Sequence, residues 1–218
     1  MILNERDCRH EQVVQIAQLM MTAARTAPKA KGVDIIEVAL VTESNLRILS
    51  ETMKQMYEDN GFKFFLRDAD NILEAECVVL IGTREHPQGL NCGYCGYAAC
   101  GEREDGVPCA INSVDLGIAL GSACSVAADH RVDTRIMFSA GLAARQLDWL
   151  DGCTQVYAIP VSASSKNPFL TVSLNQNKFF YDMGNAVFFI GKSDEVGVFF
   201  YDLLCVGHGN PQSGVLDH

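Results

Sequence analysis

Ile35-Ile36-Glu37-Val38-Ala39-Leu40-Val41 opens the stretch whose reading decides the fold. Six of its seven residues are apolar, and so short a run reads as a strand buried along most of its length. Leu46, Leu49, Met53 and Met56 follow at spacings of three and four, the pattern of a helix with one buried face, and Gly61 stands where that helix should stop. Cys77-Val78-Val79-Leu80-Ile81, within residues 75–82, is a second buried strand. Strand, helix and strand in succession predict a layered α/β or α+β domain.

The pattern extends in both directions. Residues 5–25 carry Val13, Ile16, Ala17, Met20, Ala23 and Ala24 on one helical stripe, ended by Thr26-Ala27-Pro28. Residues 62–73 fit a strand leading into a short helix. A helix over 112–129 is dense in small residues, among them Gly117 and Gly121, which implies close backbone approach to a neighbour. An apolar helix of this kind reads first as a crowded core helix. A further helix is expected over 134–150 and a strand over 156–161.

Composition shifts at Phe169: nine of the 18 aromatic residues lie between it and Tyr201. Short strands are expected at 171–174, 179–181, 186–190 and 196–201, with a loose tail over 207–218. No low-complexity linker separates these parts. The organisation read from the sequence is therefore a domain over 1–168, interrupted by a cysteine-rich loop at 83–111, and a β-rich segment over 169–218.

The 218 residues carry 17 basic and 27 acidic side chains, a net charge of −10. That balance argues against a nucleic-acid or anionic-membrane partner, both of which require a basic footprint. The first ten residues are charged from Glu5 onward and contain no apolar signal core, and no apolar run is long enough to span a membrane. A cytoplasmic location is expected, where thiols stay reduced. Nine cysteines, an odd number, do not form a complete disulfide framework. Cys77, Cys124, Cys153 and Cys205 read as scattered core residues.

Four cysteines cluster. Cys92-Gly93-Tyr94-Cys95-Gly96-Tyr97-Ala98-Ala99-Cys100, then Cys109, give C-x2-C-x4-C-x8-C within 18 residues. Four thiolates so spaced can converge on one centre, with Gly93, Gly96 and Gly101 supplying unusual dihedrals and bringing backbone N–H groups near sulfur. The wrapping suits a cubane [4Fe-4S] cluster, each iron taking one thiolate. The run differs from the ferredoxin spacing C-x2-C-x2-C-x3-C-P. A four-cysteine zinc site is the rival reading, although structural zinc usually shows two short knuckles and here there is one. Free thiols in a loop are the third.

Gly89-Leu90-Asn91-Cys92-Gly93-Tyr94-Cys95-Gly96, Val107-Pro108-Cys109-Ala110, Val114-Asp115-Leu116-Gly117-Ile118-Ala119 and Ala127-Ala128-Asp129-His130-Arg131-Val132-Asp133 resemble a family of uncharacterised prokaryotic proteins named for a ferredoxin-type domain. Ser162-Ala163-Ser164-Ser165-Lys166-Asn167-Pro168-Phe169 resembles that family's closing segment. The resemblance implies [4Fe-4S] binding without an agreed reaction. More distantly, the chain is similar to the flavin-dependent nitroreductases, which implies a three-layer α/β/α arrangement of the α+β class. In those enzymes an Ala-Pro-Ser loop between the opening helix and the first strand contacts the flavin phosphate. Ala24-Arg25-Thr26-Ala27-Pro28-Lys29-Ala30-Lys31-Gly32 occupies that position here. Arg25, Lys29 and Lys31 form the densest cationic group in the chain and are candidate donors to the phosphate of FMN. A solvated helix C-terminus explains the same cations.

Nothing matches a phosphate loop, a Rossmann fingerprint or a G-x-S-x-G elbow. The histidines at 10, 86, 130, 208 and 218 have no metal-ligand spacing; His86 and His130 stand near segments able to influence a redox site. The expected function is thus an iron–sulfur redox protein, either an electron carrier to a partner protein or a reductase of a small acceptor. A zinc-binding interaction module without catalysis is the alternative. The aromatic segment after Phe169 and the nitroreductase resemblance together imply a homodimer.

Overall fold

The computed structural model describes residues 2–170 and, as backbone, residues 179–183 and 186–190. Two compact units divide the chain, Met1–Ser173 and Leu174–His218.

In the first unit the strands β1 (Ile36–Val41), β2 (Cys77–Arg84), β3 (Asp133–Thr134) and β4 (Cys153–Ser162) form one sheet in the order β1-β2-β4-β3, with every pairing antiparallel. β2 is central and buried on both faces, so its side chains alternate between two cores rather than between core and water. Cys77, Val79 and Ile81 point to a core completed by α1 (Glu5–Thr26) and α4 (Ala110–Asp129). Val78 and Leu80 point to one completed by α2 (Ser44–Asn60), α3 (Phe64–Ile72) and α5 (Phe138–Gln146). The molecule is therefore α+β in three layers, with helices on both faces of an antiparallel sheet. The central strand, read as a buried run, is what makes the second helical layer necessary.

α2 ends where Gly61 closes it, its N–H bonding the Tyr57 carbonyl at 2.7 Å. Leu49, Met53 and Phe65 are fully or almost fully buried against one another's layer, each contributing about 1.5–3 kcal/mol of apolar burial. Two expected element bounds need correction. Residues 62–73 contain no strand: α3 occupies 64–72, its Phe65, Ala69 and Ile72 repeating at helical spacing toward the core. The helix expected over 134–150 begins only at Phe138, because Asp133–Thr134 pairs with β4 and Met137 exchanges backbone hydrogen bonds with Ala158 at 2.8 and 3.1 Å. The edge of the sheet takes those residues before the helix can.

The close approach expected at Gly117 and Gly121 is not found there. A Cβ on either glycine meets nothing within 4 Å among the described residues. The tight contact is at Gly141 in α5, where a Cβ would sit 2.1 Å from the Val156 carbonyl oxygen and 2.6 Å from the Tyr157 Cα. α4 instead meets α1 through Ala119, Ala123 and Ala127, all fully buried, with Ser122 Oγ donating to the Ala23 carbonyl at 2.9 Å. By length and composition α4 is apolar enough to cross a membrane, contrary to the reading by uninterrupted runs. Its buried face, which includes Asn112 and Asp115, belongs to the first unit's core.

Phe169, the first residue of the aromatic segment, lies fully buried in the core of the first unit, and Arg135 Nη1 donates to its carbonyl at 2.9 Å. In the second unit β5 (Phe179–Met183) and β6 (Ala186–Ile190) form an antiparallel hairpin pairing Phe179 with Ile190 and Met183 with Ala186. The strands expected at 171–174 and 196–201, the tail and Cys205 lie outside the described residues.

Candidate metal centre

The cysteine loop leaves β2 and returns to the chain at α4, and its end is held more firmly than its middle. Cys109 is the N-cap residue of α4 and is buried. A helix start presents unpaired N–H groups to whatever occupies that position. Burial alone would push the Cys109 thiol up. The backbone N–H groups of Gln88, Asn112 and Ile111 near its sulfur, with the charge of Arg103, outweigh burial and bring it below the ordinary thiol value. Those donors have themselves been fixed: buried Gln88 donates to Asn112 Oδ1 at 3.1 Å, and Asn112 donates to the His86 carbonyl at 3.0 Å. Asp115, one turn further on and also buried, accepts the Ala30 N–H on both carboxylate oxygens at 3.1 and 3.0 Å.

Upstream, the backbone turns through Asn91, Gly93 and Gly96 with positive φ of 47°, 75° and 92°. Such dihedrals suit glycine and, less readily, asparagine. Gly101 does not share them; it lies in a short 3₁₀ turn, Cys100–Glu102. Asn91 and Cys100 clasp each other: the Asn91 N–H donates to the Cys100 sulfur at 3.3 Å, and the Cys100 N–H donates to Asn91 Oδ1 at 2.8 Å. Cys92 is exposed, and Cys95 and Cys100 are partly so. Among the described residues no three Cys, His, Asp or Glu side chains stand close enough to share a metal, and the eight described cysteines are free thiols. The structure therefore pairs the third cysteine with the residue before the first, and fixes the fourth separately. The donor chemistry fits a thiolate-bound group, since the Cys100 sulfur accepts the Asn91 N–H and the surroundings of Cys109 favour its thiolate.

The remaining cysteines behave differently. Burial pushes Cys77 up to about 12 and Cys153 up to about 11, and Cys124 is also raised by burial. The candidate flavin cations are each engaged within the protein. Arg25 Nη1 donates to Asp34 Oδ2 at 2.7 Å and to the Ile36 carbonyl at 2.6 Å. Lys29 donates to the carbonyls of Ala24 and Arg25, capping α1, and Lys31 Nζ donates to the Gln88 carbonyl at 3.0 Å. Arg25 also lines a groove of about 320 Å³ with Gln18, Met21, Thr22 and Val38, which neither lysine reaches. Each of the three cations thus already has an acceptor within the protein. His86 and His130 are exposed.

Sequence reasoning missed Arg103, Gln88 and Asn112. Only their places in the chain hinted at them: Arg103 between the third and fourth cysteines, Asn112 three residues after Cys109 in the first turn of α4.

A family described as uncharacterized proteins containing a ferredoxin domain (DUF2148) matches residues 105–170, a stretch that includes Cys109 and excludes the other three cysteines of the loop. An uncharacterized protein of Archaeoglobus fulgidus is 40% identical over 179 residues, which cover 78% of this chain and 96% of that protein. Among solved structures, the chain is similar to a nitroreductase with bound FMN from Bacteroides fragilis, with 11% identity, a TM-score of 0.48 and coverage of 76% and 86% of the two chains. It is similar too to a BluB-like flavoprotein from Clostridium difficile, with 16% identity, a TM-score of 0.43 and coverage of 70% and 84%. With a relative so similar over nearly its whole length, and the family's pattern beginning just before Cys109, the chain belongs to the family of uncharacterized proteins containing a ferredoxin domain.

Proposed function

We propose that this chain is an iron–sulfur redox protein in which Cys92, Cys95, Cys100 and Cys109 hold a [4Fe-4S] cluster. It passes electrons to a partner protein or, as a reductase, to a small-molecule acceptor. The observation that carries the reading is Cys109, the buried N-cap residue of α4, whose thiolate form is favoured by backbone N–H groups of Gln88 in the loop after β2 and of Asn112 and Ile111 in the first turn of α4. A free structural thiol at a helix N-terminus has no need of so many donors, whereas a sulfur bearing the charge of a cluster does. The bound cluster would supply one-electron chemistry. The chain would supply a fixed fourth ligand at Cys109, an N–H from Asn91 to Cys100, and a backbone turned through positive φ at Gly93 and Gly96. Membership of a ferredoxin-domain family supports the same reading.

Anaerobic purification tests it. The expected product is brown, bleached by dithionite, with iron and acid-labile sulfide in equal amounts. Replacing any of the four cysteines by Ser should lower both together. Full cluster in the Cys109→Ser variant moves the fourth ligand elsewhere, and a colourless zinc-loaded protein replaces this reading with the zinc-module alternative. A flavin phosphate at Arg25, Lys29 and Lys31 belongs to the reductase form of the proposal. It requires those side chains to exchange their present acceptors for phosphate, and extraction of FMN from the native protein, with its loss in Arg25→Gln, is the result expected if it binds there. The working form is proposed to be a cytoplasmic homodimer.

A further inference from the structure

Arg103 lies in the loop between Cys100 and Cys109, yet its side chain is only 8% exposed. Its Nη1 stands 2.9 Å from Glu85 Oε1, close enough for an ion pair. The contact is not aligned as a hydrogen bond: Nε and Nη1 are both buried with no acceptor among the described residues. Burying charged donors without acceptors is unfavourable, and a residue kept only to hold Glu85 would be expected to donate to it squarely. Three positions separate Arg103 from Cys100 and six from Cys109, so its charge lies within the loop that carries the sulfur ligands. Arginine cannot shed its proton here, so the charge is permanent.

We infer that Arg103 is a positioning residue for the centre, offering its buried N–H donors and its charge to the sulfur ligands, with the Glu85 carboxylate limiting how much of that charge they feel. The inference rests on the cluster reading. Adding one electron, from dithionite for example, makes the site one unit more negative. A buried cation nearby favours that reduced form, and a carboxylate opposes it. Removing the cation must therefore lower the reduction potential, and removing the carboxylate must raise it. An arginine that merely braces the loop predicts no such pair of opposite signs.

The experiment is a redox titration of the anaerobically purified full chain, followed by electron paramagnetic resonance, for wild type, Arg103→Gln, Arg103→Lys and Glu85→Gln. Iron and sulfide contents are measured on each sample. Arg103→Gln is expected to shift the reduction equilibrium at least about tenfold toward the oxidised form, ~59 mV lower for a one-electron couple. Arg103→Lys should recover most of that shift, and Glu85→Gln should move the potential upward. An Arg103→Gln protein with full iron and an unchanged potential overturns the inference, as does a lysine variant no better than the glutamine one. Should Arg103→Gln fail to keep its cluster, Glu85→Gln decides: a rise supports the inference, and no change or a fall overturns it. A wild-type chain with neither iron nor sulfide fails the cluster reading itself, an outcome distinct from all of these.

Discussion

Burial pushes the Cys77 thiol up to about 12 and that of Cys153 up to about 11, while Cys109 falls below the ordinary value although it too is buried. The difference is made by surroundings: Cys77 sits in β2 among aliphatic side chains, whereas nearby backbone N–H groups and the charge of Arg103 favour the Cys109 thiolate. At pH 8 roughly one Cys153 thiol in a thousand is ionised, and only the ionised form is alkylated. In metal-free native protein treated briefly with iodoacetamide, Cys92 is expected to label and Cys77 and Cys153 to stay unmodified until denaturant is added. Peptide mass spectrometry reads this directly, and labelling of Cys77 at the rate of Cys92 would contradict the buried central strand. The sequence already separated the four loop cysteines from Cys77 and Cys153, because spacing is visible in one dimension. It could not show Gln88, Asn112 and Arg103 around Cys109. Their roles arise where loop and helix meet, and no periodicity records such a meeting. The cationic group at Arg25, Lys29 and Lys31 shows the converse: proximity along the chain was legible, but the acceptors that each side chain takes were not.

At the scale of elements, the strands and helices on which the fold depends could be read because each carries its own period. β1 and β2 were apolar runs, α1 and α2 three-to-four repeats. The start of α5 was misread because Met137 fits a helical repeat as well as a sheet edge, and the partner that decides, Ala158, is 21 positions away. The glycines were misread for a related reason. Close approach needs a neighbour, and the neighbour of Gly141 is β4, whereas Gly117 and Gly121 lie on the exposed face of α4. The two kinds of site should respond oppositely to one added methyl group. Gly141→Ala drives a carbon into the β4 backbone, which cannot move aside like a flexible side chain, so a loss of at least about 3 kcal/mol is expected. Gly117→Ala meets open space and removes the entropy cost of glycine in a helix, a gain of about 0.5–1 kcal/mol. Urea denaturation of the purified variants measures both. A destabilised Gly117→Ala would mean that something beyond the described residues packs on that face.

For the whole molecule, the question left by a net charge of −10 is where two copies would meet. The sequence reading expects the interface to include part of residues 169–201, and most of that segment lies outside the described residues. Phe169 itself is not available to a partner, since it is fully buried in the first unit. A truncation ending at Pro168 would therefore remove a core side chain along with the tail, and any loss of assembly could be ascribed to unfolding. Ending the chain at Ser173, the boundary of the first compact unit, keeps Phe169 and removes the rest. Light scattering on the full-length chain is expected to give twice the monomer mass, and on the shortened chain the monomer mass, with thermal denaturation confirming that the shortened chain is folded. A full-length monomer sinks the homodimer. A shortened chain that stays dimeric moves the interface onto the first unit, where α4 exposes Val114 and Ile118 on either side of Gly117. In that event Ile118→Glu, which sets a like charge against its copy across a two-fold contact, should dissociate the dimer without unfolding the protomer.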